Sequence, residues 1–256
     1  MIRDTVLFGD CRETLCAFLP NTARMCVTSP PYYGLRDYGG VDSQIGQEQS
    51  PDEYIQQLVE VFRQVRELLT DDGTLWLNIG DSYYNYRPGK GQSLVQQTVS
   101  NNKQDLPDTC ARRGNKLNGL KEKDLIGIPW MLAFALRADG WYLRQDIIWH
   151  KPNPMPESVK DRCTKSHEYV FLLSKNKKYY YDNDAIKEPA KDWGTRDRTN
   201  GKYHNKGTGL NPHTGLNKSY PTKNKRSVWS ITNKPVSYTH LRAHETDSYL
   251  VCRLLL

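Results

Sequence analysis

The chain has 256 residues and a formal net charge of +7, with a sequence pI of about 9.0. Its 25% charged and 37% hydrophobic residues exclude a largely disordered chain, and no apolar run approaches the roughly 18 residues of a membrane helix. Because the six cysteines form no C-x-x-C pair and the N-terminus has no signal-peptide pattern, we expect a reduced, cytoplasmic protein without a zinc site.

The predicted elements alternate between strand and helix. In chain order they are a strand at 5–8, a helix at 11–19, a strand at 24–28, a helix from 51 to Gly73, a strand at 74–79, a helix at 128–138, and strands at 142–149, 168–173 and 178–181. This order predicts an α/β fold with a doubly wound, mostly parallel sheet. The last strands are close enough in sequence for an antiparallel hairpin at one edge. Residues 85–123 are polar without periodicity and are predicted to be a mobile loop.

The helix that starts at Pro51 carries the clearest local signals. Ser50 is the predicted N-cap, Pro51 occupies the first helical position, and Glu53 would close a capping box. Apolar side chains then recur every three or four residues, at Ile55, Leu58, Val59, Phe62, Val65 and Leu69. The spacing predicts one buried helix face.

The positive charge is concentrated towards the C-terminal end. Residues 1–183 are neutral overall, and residues 184–235 carry the whole excess. Aromatic and histidine side chains are interleaved with these charges, at Trp193, Tyr203, His204, His213, Tyr220 and Trp229. Cations that contact phosphates and rings that stack on bases are typical of nucleic-acid binding. We therefore predict a core at 1–183 and a recognition segment at 184–235, a solvated loop being the alternative for the latter.

A stiff loop follows the predicted strand at 24–28. Two consecutive prolines, Pro30 and Pro31, fix φ twice and cannot continue a strand ladder. Ser29 and Tyr32 stand on either side of them. Since open α/β sheets bind ligands beyond the carboxyl ends of their strands, this loop is the leading candidate for a functional site.

The run at 28–39, TSPPYYGLRDYG, resembles the catalytic motif of site-specific amino-group DNA methyltransferases of the β arrangement. In that arrangement the catalytic motif precedes target recognition, and the main S-adenosylmethionine motif comes last. Residues 73–82, 128–136, 146–158 and 166–174 resemble later parts of the same family in the same order. The resemblance implies an S-adenosylmethionine-dependent methyltransferase fold, double-stranded DNA as substrate and, in restriction–modification systems, a cognate endonuclease as partner.

The motif suits methyl transfer to an exocyclic amine, whose lone pair is conjugated with the base and is a poor nucleophile. Hydrogen-bond acceptors at the Ser29 hydroxyl and the Pro30 carbonyl would pull the amine towards tetrahedral geometry, in line with a sulfonium methyl. Pro31 stiffens the loop, and Tyr32 would stack on a base flipped out of the duplex. Family members with Ser before Pro-Pro-Tyr are mostly cytosine-N4 enzymes, so the resemblance favours cytosine, with adenine N6 as the alternative.

The resemblance also assigns residues to the cofactor and to DNA. It places Asp10 and Thr28 at the cofactor, where Asp10 would accept from the adenine amine; a helix N-cap is an equal alternative for Asp10. Lys151 and Asn153 would approach the target nucleotide, unless their proline-rich loop is only a rigid turn. Further contacts with DNA are expected from Lys223, Lys225 and Arg226.

Two residues outside these groups have competing interpretations. Asp81 follows the predicted strand at 74–79 and either supports the site or caps a helix. His167 has no neighbouring metal-binding residues in the sequence and is predicted to be structural. No metal site is therefore predicted.

Two other classes of protein compete with a methyltransferase. Restriction nucleases commonly carry a D/E-x-K pair, and no lysine here has an acidic residue two positions before it, which disfavours a nuclease. A DNA-binding module without catalysis would need only residues 184–235. The Ser-Pro-Pro-Tyr run argues against that interpretation for the parent protein, and a truncated fragment that acts only as a DNA-binding module stays an alternative.

The sequence changes character at Val236. Residues 236–246 can be back-translated to a DNA sequence that resembles a transposon-end sequencing adapter read in one frame, and a codon for Pro235 fits the adapter's preceding bases. We predict that residues 236–256 are an assembly artefact, a genuine amphipathic tail being the alternative. The family's F-x-G-x-G cofactor loop is also absent, so we expect a fold that is incomplete at the C-terminus. Resequencing that finds a continuous natural frame through Val236 would contradict this.

Overall fold

The computed structural model describes residues 7–34, 44–84, 119–190 and 221–232, and the backbone alone of 92–93, 111–112 and 251–255. The helices are α1 Cys11–Thr14, followed by a 3₁₀ turn Leu15–Ala17, α2 Pro51–Leu68 and α3 Ile128–Ala138. The strands are β1 Ala23–Ser29, β2 Leu69–Ile79, β3 Gln92–Ser93, β4 Ala111–Arg112, β5 Tyr142–His150, β6 His167–Ser174, β7 Glu188–Pro189, β8 Thr222–Lys223, β9 Val228–Ser230 and β10 Val251–Leu255.

Six strands form the main sheet, in the order β10-β1-β2-β6-β5-β9. β1 pairs with β2 in parallel, and β5 pairs with β9 in parallel. β6 is antiparallel to both β2 and β5, and β10 is antiparallel to β1. Four of the six strands therefore share one direction, which confirms the predicted α/β fold with a mostly parallel sheet.

The core lies between the sheet and the pair of helices α2 and α3, which contact each other. One face of α2 is fully buried, through the predicted Leu58, Phe62 and Val65 and also through Tyr54 and Val61, whereas the predicted Val59 is only half-buried. Leu132 and Leu136 of α3 are equally buried. On the sheet, alternate residues of β2 face this layer, namely Leu75, Leu77 and Ile79. Gly140 ends α3 at φ +102°, a left-handed conformation that glycine adopts without steric cost.

The largest difference from the predicted elements is the position of β6. The sequence predicts a hairpin at the sheet edge, whereas β6 lies between β2 and β5. Each side of β6 is paired, from Thr74 to Ile79 on β2 and from Tyr142 to His150 on β5. Its run of four buried residues, Phe171–Ser174, fits a central strand better than an edge strand.

Three smaller predictions are wrong at the level of single elements. Helix α2 ends at Leu68, and β2 begins at once with Leu69, which pairs with Ala23, so Gly73 lies inside a strand rather than at a helix end. No strand forms at 178–181. Leu7 and Phe8 are not in a strand either, and the rest of the strand predicted at 5–8 lies outside the described residues.

Residues Tyr181–Arg226 form a separate compact unit, and the remainder of the chain forms the other. Within the smaller unit β7 and β8 pair in antiparallel fashion. Most of the segment predicted as recognition region, 184–235, lies outside the described residues, as does most of the predicted loop 85–123, apart from the pair β3 and β4.

Across the described parts of the chain, no helix combines the length and the apolar character that crossing a bilayer requires. Five residues of the predicted foreign tail, Val251–Leu255, form β10. Residues 233–250 lie outside the described residues. The origin of residues 236–256 stays a prediction.

Candidate active site

Three strands bring their ends together at one edge of the main sheet. β1 ends at Ser29, and β2 is its parallel neighbour. Because Thr28 pairs with Leu77 in this register, Ser29 and Asn78 come side by side. β6 runs in the opposite direction, so its first residues, including Glu168, lie at the same edge. This is the edge at which an open α/β sheet binds ligands.

The Ser-Pro-Pro-Tyr loop is fixed by contacts on both sides. The Tyr54 hydroxyl on α2 donates to the Pro31 carbonyl at 2.7 Å. The Tyr32 ring lies against Gly80, where an added Cβ would stand 2.6 Å from the ring carbon Cε2. Any side chain at position 80 would therefore displace Tyr32, and the close approach accounts for the glycine.

Polar contacts join the loop to β2 and β6. The Ser29 hydroxyl donates to Asn78 Oδ1 at 3.3 Å, and the Tyr32 hydroxyl donates to Glu168 Oε2 at 2.9 Å. The Asn78 amide Nδ2 donates to the same Glu168 oxygen at 3.3 Å. Lys151 Nζ forms an ion pair with the other oxygen, Oε1. We call Asn78, Lys151 and Glu168 the supporting cluster, because each contacts the Ser-Pro-Pro-Tyr loop, the candidate catalytic loop, directly or through another member.

Tyr32 stays protonated in this environment. Burial raises the pKa of Tyr32 above its ordinary value, and the negative charge of Glu168 raises it further. Burial likewise raises the pKa of Tyr54, with a further contribution from Glu48. Both phenols are therefore donors at physiological pH, which fits the hydrogen bonds they make.

The structure places Lys151, predicted to contact DNA, inside the supporting cluster. Its side chain is only 18% exposed, and its ammonium lies 4.6 Å from the centre of the Trp149 ring. Asn153, two residues further along the same loop, is exposed. The structure thus brings Lys151 to Ser29 and Tyr32 through Glu168, while Asn153 faces solvent.

The two predicted cofactor residues differ in their surroundings. Asp10 caps α1, its Oδ1 accepting from the Arg12 backbone N–H at 2.9 Å. The Arg12 side chain also forms an ion pair with both carboxylate oxygens, and its hydrogen bonds lower the pKa of Asp10. Thr28 is buried in β1, next to Ser29, which is exposed, and Pro30 is buried as well. The cap alternative for Asp10 is thus present in the structure, and its part in cofactor binding stays a prediction.

Asp81 caps a helix. Its Oδ1 accepts from the backbone N–H groups of Ser82, Gly127 and Ile128, at 2.9 to 3.0 Å. Two of these are donors at the start of α3 that no helical carbonyl can satisfy. His167 packs edge-on against Tyr169, with ring centres 5.5 Å apart, which is consistent with the predicted structural role.

In the smaller unit, two of the residues predicted to contact DNA, Lys223 and Lys225, form ion pairs with a glutamate. Glu188 forms ion pairs with Lys225 at 3.1 Å and with Lys223 at 3.8 Å. The Lys225 hydrogen bond and the positive charges nearby, including Arg226, lower the pKa of Glu188. Arg226 is exposed. Any phosphate contact by these lysines would compete with Glu188.

Sequence reasoning missed Asn78 and Glu168 as site residues. Asn78 is the polar residue in the otherwise apolar end of β2, and Glu168 is the acidic residue at the start of the apolar β6. These two positions indicate a shared site only once β6 is known to pair with β2 in antiparallel fashion. The predicted edge hairpin hid that relation.

Comparison with known proteins decides the family. A family model described as DNA methylase, for N6 and N4 methyltransferases, matches residues 23–248. The chain belongs to this DNA methylase family. The match confirms the expected methyltransferase relationship, and S-adenosylmethionine is the methyl donor of the family.

Characterised relatives of this methylase are longer than the chain. The Type II methyltransferase M.SmaI of Serratia marcescens is 46% identical over 249 residues, which cover 97% of this chain and 74% of that protein. M.Cfr9I of Citrobacter freundii, also a Type II methyltransferase, is 42% identical over 250 residues, covering 98% and 71%.

Solved structures are more distant from the methylase. TTHA0409 of Thermus thermophilus, in complex with S-adenosyl-L-methionine, has a TM-score of 0.44 at 20% identity, covering 70% of this chain. The cytosine-N4-specific PvuII DNA methyltransferase has a TM-score of 0.45 at 16% identity, covering 68%. The chain spans 56% and 50% of these two proteins respectively.

Proposed function

We propose that the protein methylates the exocyclic N4 amine of cytosine in duplex DNA after the base is flipped out of the helix. The observation that carries this proposal is an exposed, neutral Ser29 at the head of the Ser-Pro-Pro-Tyr loop. A neutral hydroxyl can accept from an N–H of the amine without placing a negative charge beside it. Adenine N6 is the alternative target.

The loop residues would prepare the amine for attack. Ser29 and the Pro30 carbonyl would accept from its two N–H groups and draw the lone pair out of conjugation with the ring. Tyr32 would contact the face of the flipped base, and its hydroxyl stays on Glu168. When bound, S-adenosylmethionine would supply an electrophilic methyl group, whose bonding electron pair would stay on sulfur as the amine nitrogen attacks. The methylated amine would release its extra proton to solvent.

The proposal assigns two of the described residues to the cofactor. Asp10 and Thr28 are the proposed contacts, but both Asp10 oxygens already contact Arg12, so a cofactor amine would have to share an acceptor. The predicted DNA contacts of this proposal are Lys151, Asn153, Lys223, Lys225 and Arg226. If the protein belongs to a restriction–modification system, its partner would be an endonuclease that recognises the same DNA sequence.

Transfer of radiolabelled methyl groups tests the proposal. The assay uses protein made from the complete reading frame of the gene, unmodified duplex DNA, and Ser29→Ala as the matched variant. We expect label in N4-methylcytosine after digestion of the DNA to nucleosides, and a fall of about 100-fold or more in Ser29→Ala.

Each other result selects a different function. Label in N6-methyladenine would replace cytosine by adenine as the target. Binding of DNA without any transfer of label would indicate a DNA-binding module. Equal transfer by wild type and Ser29→Ala would remove Ser29 from the active site.

A further inference from the structure

The orientation of the Asn78 amide is determined by its surroundings. Its Nδ2 lies 3.1 Å from the Tyr169 carbonyl oxygen and 3.3 Å from Glu168 Oε2. A carbonyl and a carboxylate paired with Lys151 can only accept. The NH₂ group must therefore face β6, and Asn78 Oδ1 must face the catalytic loop, where it can only accept.

Two hydroxyl groups of the loop lie within reach of Asn78 Oδ1, Ser29 at 3.3 Å and Tyr32 at 3.2 Å. The Tyr32 proton has a better acceptor, because its hydroxyl lies 2.9 Å from the charged Glu168 Oε2. The Tyr32 hydroxyl oxygen also contacts the Ser29 hydroxyl, so it competes for the Ser29 proton with Asn78 Oδ1, the acceptor of the 3.3 Å contact. A hydroxyl that donates there keeps both lone pairs for another partner.

We propose that Asn78 is a positioning residue that takes the Ser29 proton, so that the Ser29 oxygen is presented to the target amine as an acceptor. Glu168 and the Tyr169 carbonyl hold Asn78 in the required orientation. The inference rests on the proposed function, in which Ser29 accepts from the amine. The Ser29 contact at 3.3 Å is long for a hydroxyl donor, as such contacts often are before substrate binds.

A double-mutant cycle tests the coupling between the two residues, with methyl transfer by the complete protein as the readout. Asn78→Leu should lower kcat about 10-fold to 100-fold, since the hydroxyl loses its fixed direction. KM for DNA should stay unchanged. In a Ser29→Ala background, Asn78→Leu should have little further effect, because the hydroxyl proton that Asn78 accepts is already absent.

The pH profile of Asn78→Asp separates positioning from a structural role. The new carboxyl group would lie against Glu168, and their mutual repulsion would raise the pKa of the pair. With one proton shared, it can donate to Glu168 and accept from Ser29, so transfer should be kept at low pH. As the pH rises through that raised pKa, repulsion between the two charged carboxylates should move the new side chain away from Ser29 and transfer should fall, a loss that neither wild type nor Asn78→Leu should show.

The control variant is Asn176→Leu, at the opposite end of the same strands. Asn176 Nδ2 also donates to a backbone carbonyl, that of Asp71 at 2.9 Å, so it matches the change in chemistry and should keep full activity. Three results would overturn the positioning role alone. They are wild-type activity in Asn78→Leu, additive losses in the double-mutant cycle, and a flat pH profile for Asn78→Asp. A wild type that transfers no methyl group would overturn the proposed function, and this inference with it.

Discussion

At the scale of single residues, the candidate site combines a tightly held Tyr32 with an exposed Ser29. Tyr32 is held between Gly80 and Glu168. Its ring packs against Gly80, and its hydroxyl donates to the Glu168 carboxylate. Ser29 is the exposed member of the group. The loop thus presents one exposed hydroxyl on an otherwise fixed scaffold.

The two buried phenols predict a loss of stability in alkaline solution. Burial raises the pKa of Tyr32 and Tyr54 above the value of 10.0 that tyrosine has in an unfolded chain. Above pH 10 the unfolded chain therefore releases protons that the folded protein retains, and the free energy of unfolding falls as the pH rises. Thermal midpoints measured between pH 8 and 11 should show this fall.

Tyr54→Phe should flatten that alkaline limb, since it removes one of the two groups. Tyr83→Phe is the control, because Tyr83 is exposed, at 37% of its surface. An equally steep alkaline limb in Tyr54→Phe would show that other groups cause the loss.

At the scale of elements, local signals correctly predicted the start of α2 and most of α3 and β5. Ser50 caps α2 with Oγ accepting from the Glu53 N–H, although the Glu53 carboxylate returns to Gln49 rather than closing the box on Ser50. The spacing of apolar residues gave the buried face of α2 because burial repeats with the helical period.

Two features that depend on pairing between distant strands, the end of α2 and the central position of β6, could not be predicted. The end of α2 at Leu68 follows from the pairing of Leu69 with Ala23 on β1, a contact that no local pattern reveals. The central place of β6 follows from ladders to two strands, and with it the position of Glu168 beside Tyr32. The Ser-Pro-Pro-Tyr motif could be found in the sequence because it is continuous, whereas the supporting cluster comes from three separate segments.

Asp81 gives a prediction at the scale of an element, since its carboxylate joins the end of β2 to the start of α3. Asp81→Ala leaves three backbone N–H groups without their acceptor and should destabilise the protein by about 1–3 kcal/mol. Asp81→Asn keeps one acceptor oxygen and should lose less. Chemical denaturation measures both.

If Asp81 instead served the reaction, the alanine variant would lose methyl transfer while its denaturation midpoint stayed at the wild-type value. Ser50→Ala is a useful comparison, because it removes a single N-cap acceptor from α2 and should cost about 1 kcal/mol.

At the scale of the whole molecule, the candidate catalytic residues and three of the five proposed DNA contacts belong to different units. The catalytic loop and supporting cluster belong to the larger unit, and Lys223, Lys225 and Arg226 belong to the smaller one. The division predicts that DNA affinity and chemistry can be altered separately.

Replacing Lys223, Lys225 and Arg226 together by Ala should weaken DNA binding. The slope of log affinity against log salt should become shallower by up to about 3, as three phosphate contacts would be lost. Glu188→Gln should act in the opposite direction at low salt, because it frees two lysines from their ion pairs. Fluorescence anisotropy with labelled duplex DNA measures both changes, and an unchanged affinity in the triple variant would remove these residues from the interface.

The cofactor gives a further prediction for the chain of residues 1–256. Glycine-rich loops bind such ligands by letting the backbone approach closely at a helix N-terminus, and this sequence has no F-x-G-x-G run. Calorimetry with S-adenosylmethionine should therefore show weak binding or none. Tight, saturable binding would mean that other residues form the pocket.

The indole rings of Trp76 on β2 and Trp229 on β9 are stacked, with centres 6.1 Å apart and planes inclined at 29°. Two strands separate β2 from β9 in the sheet, so this pair spans them on the face away from α2. Chromophores this close couple their excited states and give a paired signal in circular dichroism. The protein therefore carries an optical reporter of whether its short last parallel strand is in place.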